Sequence, residues 1–132
     1  MKGNLLFLFL ATLFFSCENE DLSKTEKLAS HGWKISSVKK NGVKTDCSCM
    51  SDDCYSFSLS AAEQGNYTIT RGPVSCSAEE PSGGTFWMSD AETLALSCAG
   101  ERTYYKIFFS DSELILICDI SGTQWTYTYI KC

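Results

Sequence analysis

Basic residues, histidine and proline are scarce in this chain of 132 residues. It has one histidine, two prolines and 11 Lys plus Arg against 16 Asp plus Glu, so its formal net charge is −5. A surface that follows phosphates needs a strongly basic footprint, which argues against a nucleic-acid partner. A single histidine, His31, also leaves little for a catalytic Ser-His or Cys-His pair or for a zinc site. We therefore expect a protein that is not an enzyme and that carries no metal or other cofactor.

Long apolar runs are also scarce, with one exception near the N-terminus. Residues 5–15 are Leu, Phe, Ala and Thr only, and they follow a basic Met1-Lys2 start. A helix of this length spans about 16 Å, roughly half of the ~30 Å hydrocarbon layer of a membrane. The pattern therefore predicts a signal peptide over residues 1–16 rather than a membrane span.

The residues that follow this run suggest how the exported protein is anchored. Ser16-Cys17 resembles a bacterial lipobox, in which the cysteine is lipidated and becomes the new N-terminus. The acidic run Glu-Asn-Glu-Asp at residues 18–21 is similar to export signals of surface lipoproteins of the Bacteroidetes. The alternative is ordinary signal cleavage at a nearby site, with Cys17 in a disulfide. We expect a lipid on Cys17 that holds the protein at the outer membrane, on its periplasmic or cell-surface face.

Cysteine, in contrast, is abundant. Eight cysteines are too many for an ordinary cytosolic chain of this size and indicate an oxidising compartment. With 20% charged and 44% hydrophobic residues, the chain is typical of one globular domain. We assign residues 17–27 to the lipidated cysteine, a linker and a short helix, and residues 28–132 to the domain.

The domain is predicted to be all-β. Ser23-x-x-Glu26 fits a helix capping box, with Leu28 as the apolar residue and Gly32 as the helix stop. After Gly32 the sequence alternates apolar and polar residues in short runs separated by turn residues. We predict strands at residues 33–40, 55–59, 66–71, 85–89, 93–97, 103–109, 113–118 and 124–131. Eight strands at this spacing predict a small up-and-down antiparallel barrel with a short N-terminal helix.

The alternation also predicts which side chains face the interior. The outward face is expected to carry mainly Ser, Thr and Lys, together with Ala95. Apolar and aromatic residues of inward parity are the candidates to line a ligand site. They are Trp33, Tyr55, Phe57, Tyr67, Phe86, Met88, Tyr105 and Tyr127.

This pattern of strands and turns resembles the small lipocalin-like lipoproteins of the Bacteroidetes. The resemblance covers about residues 28–131 and rests on short matching stretches. They are residues 28–38, Asn41-Gly42, residues 54–57, residues 65–68, Cys76, residues 84–86, 93–96, 113–116 and 126–129. The resemblance implies a lipocalin-like barrel, exported and lipid-anchored, with an apolar ligand at its mouth.

Most cysteines are predicted to lie at one end of this barrel, beside the longer loops. They are Cys47, Cys49, Cys54, Cys76, Cys98 and Cys118. Cys54–Cys76 is the first candidate bridge, because these residues flank neighbouring strands and match the cysteine pattern of the resembling family. The other four leave two options, either Cys98–Cys118 or bridges from Cys47 and Cys49 to that pair. Cys132, at the opposite end, is the expected unpaired thiol.

Acidic pairs in the predicted loops offer little chemistry. Asp52-Asp53 lies among Cys47, Cys49 and Cys54, but disulfides are a better interpretation of these cysteines than a metal loop. Asp52-Asp53 and Glu79-Glu80 are both interpreted as solvated charge.

Two functions remain. The first is a non-enzymatic lipocalin-like protein that binds a small apolar ligand at the barrel mouth. The second is an interaction module with a filled barrel, whose disulfide-braced loops contact an envelope or host protein. Because eight short strands enclose little more than their own side chains, a cavity is the feature that separates the two hypotheses.

Overall fold

The structure is a computed structural model that describes residues 23–74, 76, 82–110 and 112–132. The predicted signal peptide, Cys17 and Glu79-Glu80 lie outside the described residues. Within the described part of the chain, no helix is long and apolar enough to cross a membrane.

The domain begins with the predicted helix, α1 (Lys24–Ala29). Ser23 is its N-cap: the Ser23 side chain accepts a hydrogen bond from the Glu26 backbone N–H at 3.1 Å, and the Glu26 carboxylate accepts one from the Ser23 N–H at 3.0 Å. The capping box is thus confirmed. The predicted stop at Gly32 is wrong, because Ser30 caps the C-terminus and Gly32 already belongs to the first strand.

Nine strands follow in the described residues. They are β1 (Gly32–Lys40), β2 (Val43–Thr45), β3 (Cys54–Ala61), β4 (Gln64–Thr70), β5 (Gly83–Asp90), β6 (Thr93–Cys98), β7 (Glu101–Phe109), β8 (Glu113–Ile120) and β9 (Thr123–Lys131). Each strand from β3 to β8 pairs antiparallel with the next, and β1 closes the sheet by pairing with both β9 and β3. The fold is therefore a closed eight-stranded up-and-down barrel, as predicted, and β2 is a short addition beside β1.

Tight turns keep several strands longer than predicted. The connections β1–β2, β6–β7 and β8–β9 are the two-residue segments Asn41-Gly42, Ala99-Gly100 and Ser121-Gly122. Both residues of each turn have positive φ, between 50° and 86°. This is the conformation of a type I′ turn, whose twist matches that of paired antiparallel strands. The loops expected over residues 98–102 and 119–123 are therefore mostly strand.

Closure of the barrel is strongly staggered. Strand β1 pairs with β9 along its whole length, from Trp33↔Lys131 to Lys40↔Trp125. It pairs with β3 only at Gly32↔Ser56 and Trp33↔Tyr55. The later part of β1 instead pairs with β2, and residues 46–53 connect β2 to β3. Because of this stagger, β3 begins beside the beginning of β1, and Cys54 lies near Gly32.

A disulfide between Cys54 and Cys132 occupies this position. It joins β3 to the residue after β9, and both strands are neighbours of β1. A Cβ on Gly32 would lie 2.7 Å from the Cys54 sulfur, so only glycine allows the bridge to pass this close to β1. The predicted Cys54–Cys76 bridge and the unpaired Cys132 are both wrong, because the stagger brings Cys54 beside Gly32 and Cys132, and Cys76 bonds to Cys49 instead.

The second disulfide joins Cys49 to Cys76. It links the connection before β3 to the connection after β4, so these two longer loops are braced. Among the described cysteines, Cys47, Cys98 and Cys118 are unbonded. The Cys98–Cys118 bridge is wrong because β7 lies between the strands that carry these thiols. The bridges from Cys47 and Cys49 to that pair are absent as well.

An ion pair fastens the same two loops. Asp53 is completely buried, and its Oδ2 lies 2.7 Å from Nη1 of Arg71. Its Oδ1 accepts a hydrogen bond from the Gly72 N–H at 3.1 Å, and Asp52 accepts one from the Val74 N–H at 3.1 Å. The expectation that Asp52-Asp53 is solvated is therefore wrong: a buried carboxylate needs such partners.

The half of the barrel next to α1 is filled by closely packed side chains. Trp33 is buried there, and its indole Nε1 donates a hydrogen bond to the Leu28 carbonyl at 2.9 Å. The ring of Phe86 meets that of Phe57 edge to face, with 5.3 Å between centroids. The buried apolar residues of the whole barrel interior, including those that border its other half, are Leu28, Trp33, Ile35, Val38, Phe57, Tyr67, Phe86, Leu94, Ile107, Leu114, Leu116 and Tyr129.

The outward face is less polar than predicted at one place. Ala95 is completely buried although it points away from the core. It pairs with Trp87 on one side and Tyr104 on the other, and these two rings meet edge to face above it at 6.5 Å. The Arg102 guanidinium lies 5.2 Å from the Trp87 ring centroid. Two aromatic side chains thus cover a small residue on the outer surface.

Candidate functional site: a tyrosine-lined cavity

The other half of the barrel contains a cavity of about 620 Å³. The two ends of strand β7 locate this cavity along the barrel axis. The last residues of β7 reach α1, since Lys24 Nζ donates to the Ile107 carbonyl at 3.4 Å and Lys27 lies 5.7 Å from the Phe109 ring centroid. The first residues of β7, including Glu101 and Thr103, line the cavity. The cavity therefore opens at the barrel end opposite α1.

The strand alternation places the lining residues. On β7, the inward positions run from Glu101 through Thr103 and Tyr105 to Ile107. The first three line the cavity, and Ile107 is completely buried in the core. The same strand thus supplies both the wall of the cavity and part of its closed end. The full lining is Ile35, Met50, Tyr55, Tyr67, Ile69, Leu96, Cys98, Ala99, Glu101, Thr103, Tyr105, Tyr127 and Tyr129.

Five tyrosines dominate this wall. The rings of Tyr55 and Tyr129 meet edge to face with centroids 5.5 Å apart, at an interplanar angle of 77°. Tyr105 and Tyr127 form a similar pair at 6.2 Å and 75°. Tyr67 belongs to the same wall, and its ring lies 5.7 Å from that of Phe57 in the core. The rings of the Tyr55–Tyr129 and Tyr105–Tyr127 pairs are thus turned steeply against each other, an arrangement that aromatic pairs prefer.

The hydroxyls of Tyr67, Tyr105, Tyr127 and Tyr129 are neutral over the physiological range. Burial, followed by the neighbouring Cys98 and Tyr55, raises the pKa of Tyr67 to about 12. Burial likewise raises the pKa of Tyr105, Tyr127 and Tyr129. A buried phenol resists ionisation because its charged form loses hydration. The wall therefore offers neutral hydroxyls and aromatic faces.

Charge in the cavity has one sign. Glu101 is the acidic residue of the lining, and it lies exposed at the open end. None of the described lining residues is Lys or Arg. The two arginines of the chain are engaged elsewhere, Arg71 with Asp53 and Arg102 with Trp87 on the outer face.

The structure separates the predicted lining residues into two groups. Tyr55, Tyr67, Tyr105 and Tyr127 meet at the cavity. Trp33, Phe57, Phe86 and Met88 do not line it, because they pack in or against the core at the closed half.

Several lining residues were missed. Tyr129 and Leu96 share inward parity with predicted neighbours, and Glu101 and Thr103 extend the inward series of β7, so the alternation could have identified them. Met50 comes from the irregular connection between β2 and β3, where no periodic signal exists.

Cys98 and Cys118 have inward positions near the open end, but in different surroundings. The Cys98 thiol lines the cavity together with Tyr67. Strands β7 and β8 pair only from Lys106↔Ile117 to Phe109↔Leu114, and beyond this they separate around a smaller cavity beside Cys118. Burial raises the pKa of the Cys118 thiol, which favours its unreactive protonated form.

Comparison of the chain with protein-family models, with curated proteins and with solved structures gives no match. The interpretation of the cavity therefore rests on its own geometry and chemistry.

Proposed function

We propose that this protein is an exported, lipid-anchored, lipocalin-like protein without enzymatic activity, which binds a small, largely apolar ligand in the tyrosine-lined cavity. The observation that carries the proposal is the cavity itself. Its volume of about 620 Å³ lies within the roughly 300–1,000 Å³ of ordinary small-molecule sites. The interaction-module hypothesis assumed a barrel filled throughout by its own side chains. Only the half next to α1 is filled in this way.

The arrangement of the two halves favours binding. The packed half closes the inner end of the cavity. The Cys49–Cys76 bridge holds the connection between β2 and β3, which contributes Met50 to the wall. Binding residues are commonly held on such a rigid frame. The lining combines aromatic and aliphatic side chains with a few polar groups, which is typical of small-molecule sites.

A cavity-filling variant tests this proposal. Thr103 faces the cavity from β7, and Thr68 faces solvent on β4. We expect the wild-type protein to bind the neutral fluorescent probe N-phenylnaphthylamine, and T103W to bind it at least about 10-fold more weakly because the indole occupies the cavity. T68W, which adds the same side chain outside, should bind like the wild type. Fluorescence titration measures all three. Absence of probe binding by the wild type, or equal affinity in T103W, would overturn the proposal.

The two disulfides indicate an extracytoplasmic protein, and the lipid on Cys17 is the proposed means of anchoring. In cells that process bacterial lipoproteins, C17S should lose incorporation of labelled palmitate and should move from the membrane fraction to the soluble fraction. The matched control is C47S, which removes an unbonded thiol within the domain and should keep both properties. Palmitate incorporation that persists in C17S would contradict the anchor.

A further inference from the structure

We propose that the ligand of the tyrosine-lined cavity is a small organic cation of the substituted-ammonium class. This inference rests on the proposed function and adds the charge of the ligand to it. Its positive group would lie against the tyrosine rings, with Glu101 at the open end as the opposite charge.

The charge of the wall is the first reason. Glu101 is acidic, and the described lining contains no Lys or Arg. An anionic ligand such as a carboxylate would lose its hydration and gain no opposite charge in return, which makes its burial costly. It would also face the Glu101 carboxylate. The two arginines near the lining strands cannot compensate, because Arg71 pairs with the buried Asp53 and Arg102 lies over Trp87 outside the barrel.

The aromatic wall is the second reason. The face of a tyrosine ring carries negative charge density and attracts ammonium groups, most strongly where water is excluded. Tyr55 stands at 77° to Tyr129, and Tyr105 stands at 75° to Tyr127. The two rings of each pair therefore do not stack on each other, and Tyr127 stacks instead on Trp125, with 15° between the ring planes. A phenol is neutral at physiological pH, and burial raises the pKa of Tyr105 and Tyr129 further, so these tyrosines act through their rings and hydroxyls.

Steering of the ligand is consistent with these contacts. The whole chain carries a net charge of −5, and Glu101 is exposed at the entrance. A cleft with charge of one sign raises the local concentration of oppositely charged ligands. Both the entrance and the interior thus favour a cation over a neutral or anionic molecule of the same shape.

Three probes of one shape and different charge test the inference: choline, 3,3-dimethylbutan-1-ol and 3,3-dimethylbutanoate. They are cationic, neutral and anionic, respectively, and we expect affinity to fall in this order in calorimetric or NMR titration. Choline should bind about 10- to 30-fold more tightly than the neutral alcohol, the range that a desolvated ammonium–aromatic contact provides. A neutral or anionic probe that binds as tightly as choline would overturn the inference and leave the proposed function standing.

A charge variant separates Glu101 from general electrostatics. E101Q should weaken choline binding by about 3- to 10-fold and leave binding of the neutral alcohol unchanged. E92Q makes the same change in the turn between β5 and β6, at the end near α1, and should bind both probes like the wild type. If E101Q and the wild type bound choline with equal affinity, the proposed role of Glu101 as the opposite charge of the ligand would be wrong.

The two proposals fail in different ways. A protein that binds N-phenylnaphthylamine but not choline would overturn the cationic ligand alone. A protein that binds none of these molecules would overturn the proposed function, and the cationic ligand with it.

Discussion

Replacing Cys54 and Cys132 together by serine is expected to lower the free energy of unfolding by about 4–5 kcal/mol. The two cysteines are 78 residues apart, and a bridge that closes so long a loop strongly restricts the unfolded chain. The Cys49–Cys76 bridge spans 27 residues, so C49S/C76S should lose less, about 3–4 kcal/mol. Denaturant unfolding under non-reducing conditions measures both differences against the wild type.

Two further measurements decide whether loop length is the cause. The control C47S/C98S removes two unbonded thiols and should change the stability by no more than about 1 kcal/mol. Reducing the wild type should reproduce the combined loss of the two bridge variants. A larger loss in C49S/C76S than in C54S/C132S would show that local fit of the bridges, rather than the length of the closed loop, determines their contribution.

Truncating Phe86 is expected to be the most damaging single change in the core. Phe86 is 1% exposed, and its ring packs edge to face on Phe57 in the closed half of the barrel. F86A should lower the free energy of unfolding by about 3–5 kcal/mol, because it removes buried apolar surface and leaves a void. Thermal or denaturant unfolding measures the loss.

The neighbouring position provides the control for this variant. Thr85 is exposed on the outward face of the same strand, so T85A should change the stability by about 0.5 kcal/mol or less. Comparable losses in F86A and T85A would contradict the inward direction of Phe86 on β5.

Strand alternation accounts for what could be predicted of the fold. Strands such as β4 and β8 alternate more and less buried residues because one face meets the core, and this signal is local in the sequence. The short strand β2 was missed because three residues are too few to alternate. The closing register between β1 and β3 was not predictable in this way, because it involves only two pairs and depends on strands distant in the chain. The disulfide at Cys54 follows from that register and was missed with it.

The sequence predicted which side chains of the candidate site face the interior, but not their positions along the barrel axis. Alternation indicated that Tyr55, Tyr105 and Phe86 all face the interior, and it cannot tell how far along the barrel axis each one lies. Trp33 and α1 close one end, and this determines that Phe86 belongs to the core and Tyr105 to the cavity. Likewise, the burial of Asp53 depends on Arg71 and Gly72, which come from a different loop.

The bond from Cys54 to Cys132 makes a covalent ring of residues 54–132, which contains all strands from β3 to β9. Strand β1 and α1 lie outside the ring and are attached to it through residues 41–53. A single backbone cut in any connection between β3 and β9 therefore opens the ring without releasing a fragment. For a protein exposed to proteases outside the cytoplasm, one such cut would leave the barrel in one piece, and only a second cut or reduction of the disulfides would free a strand.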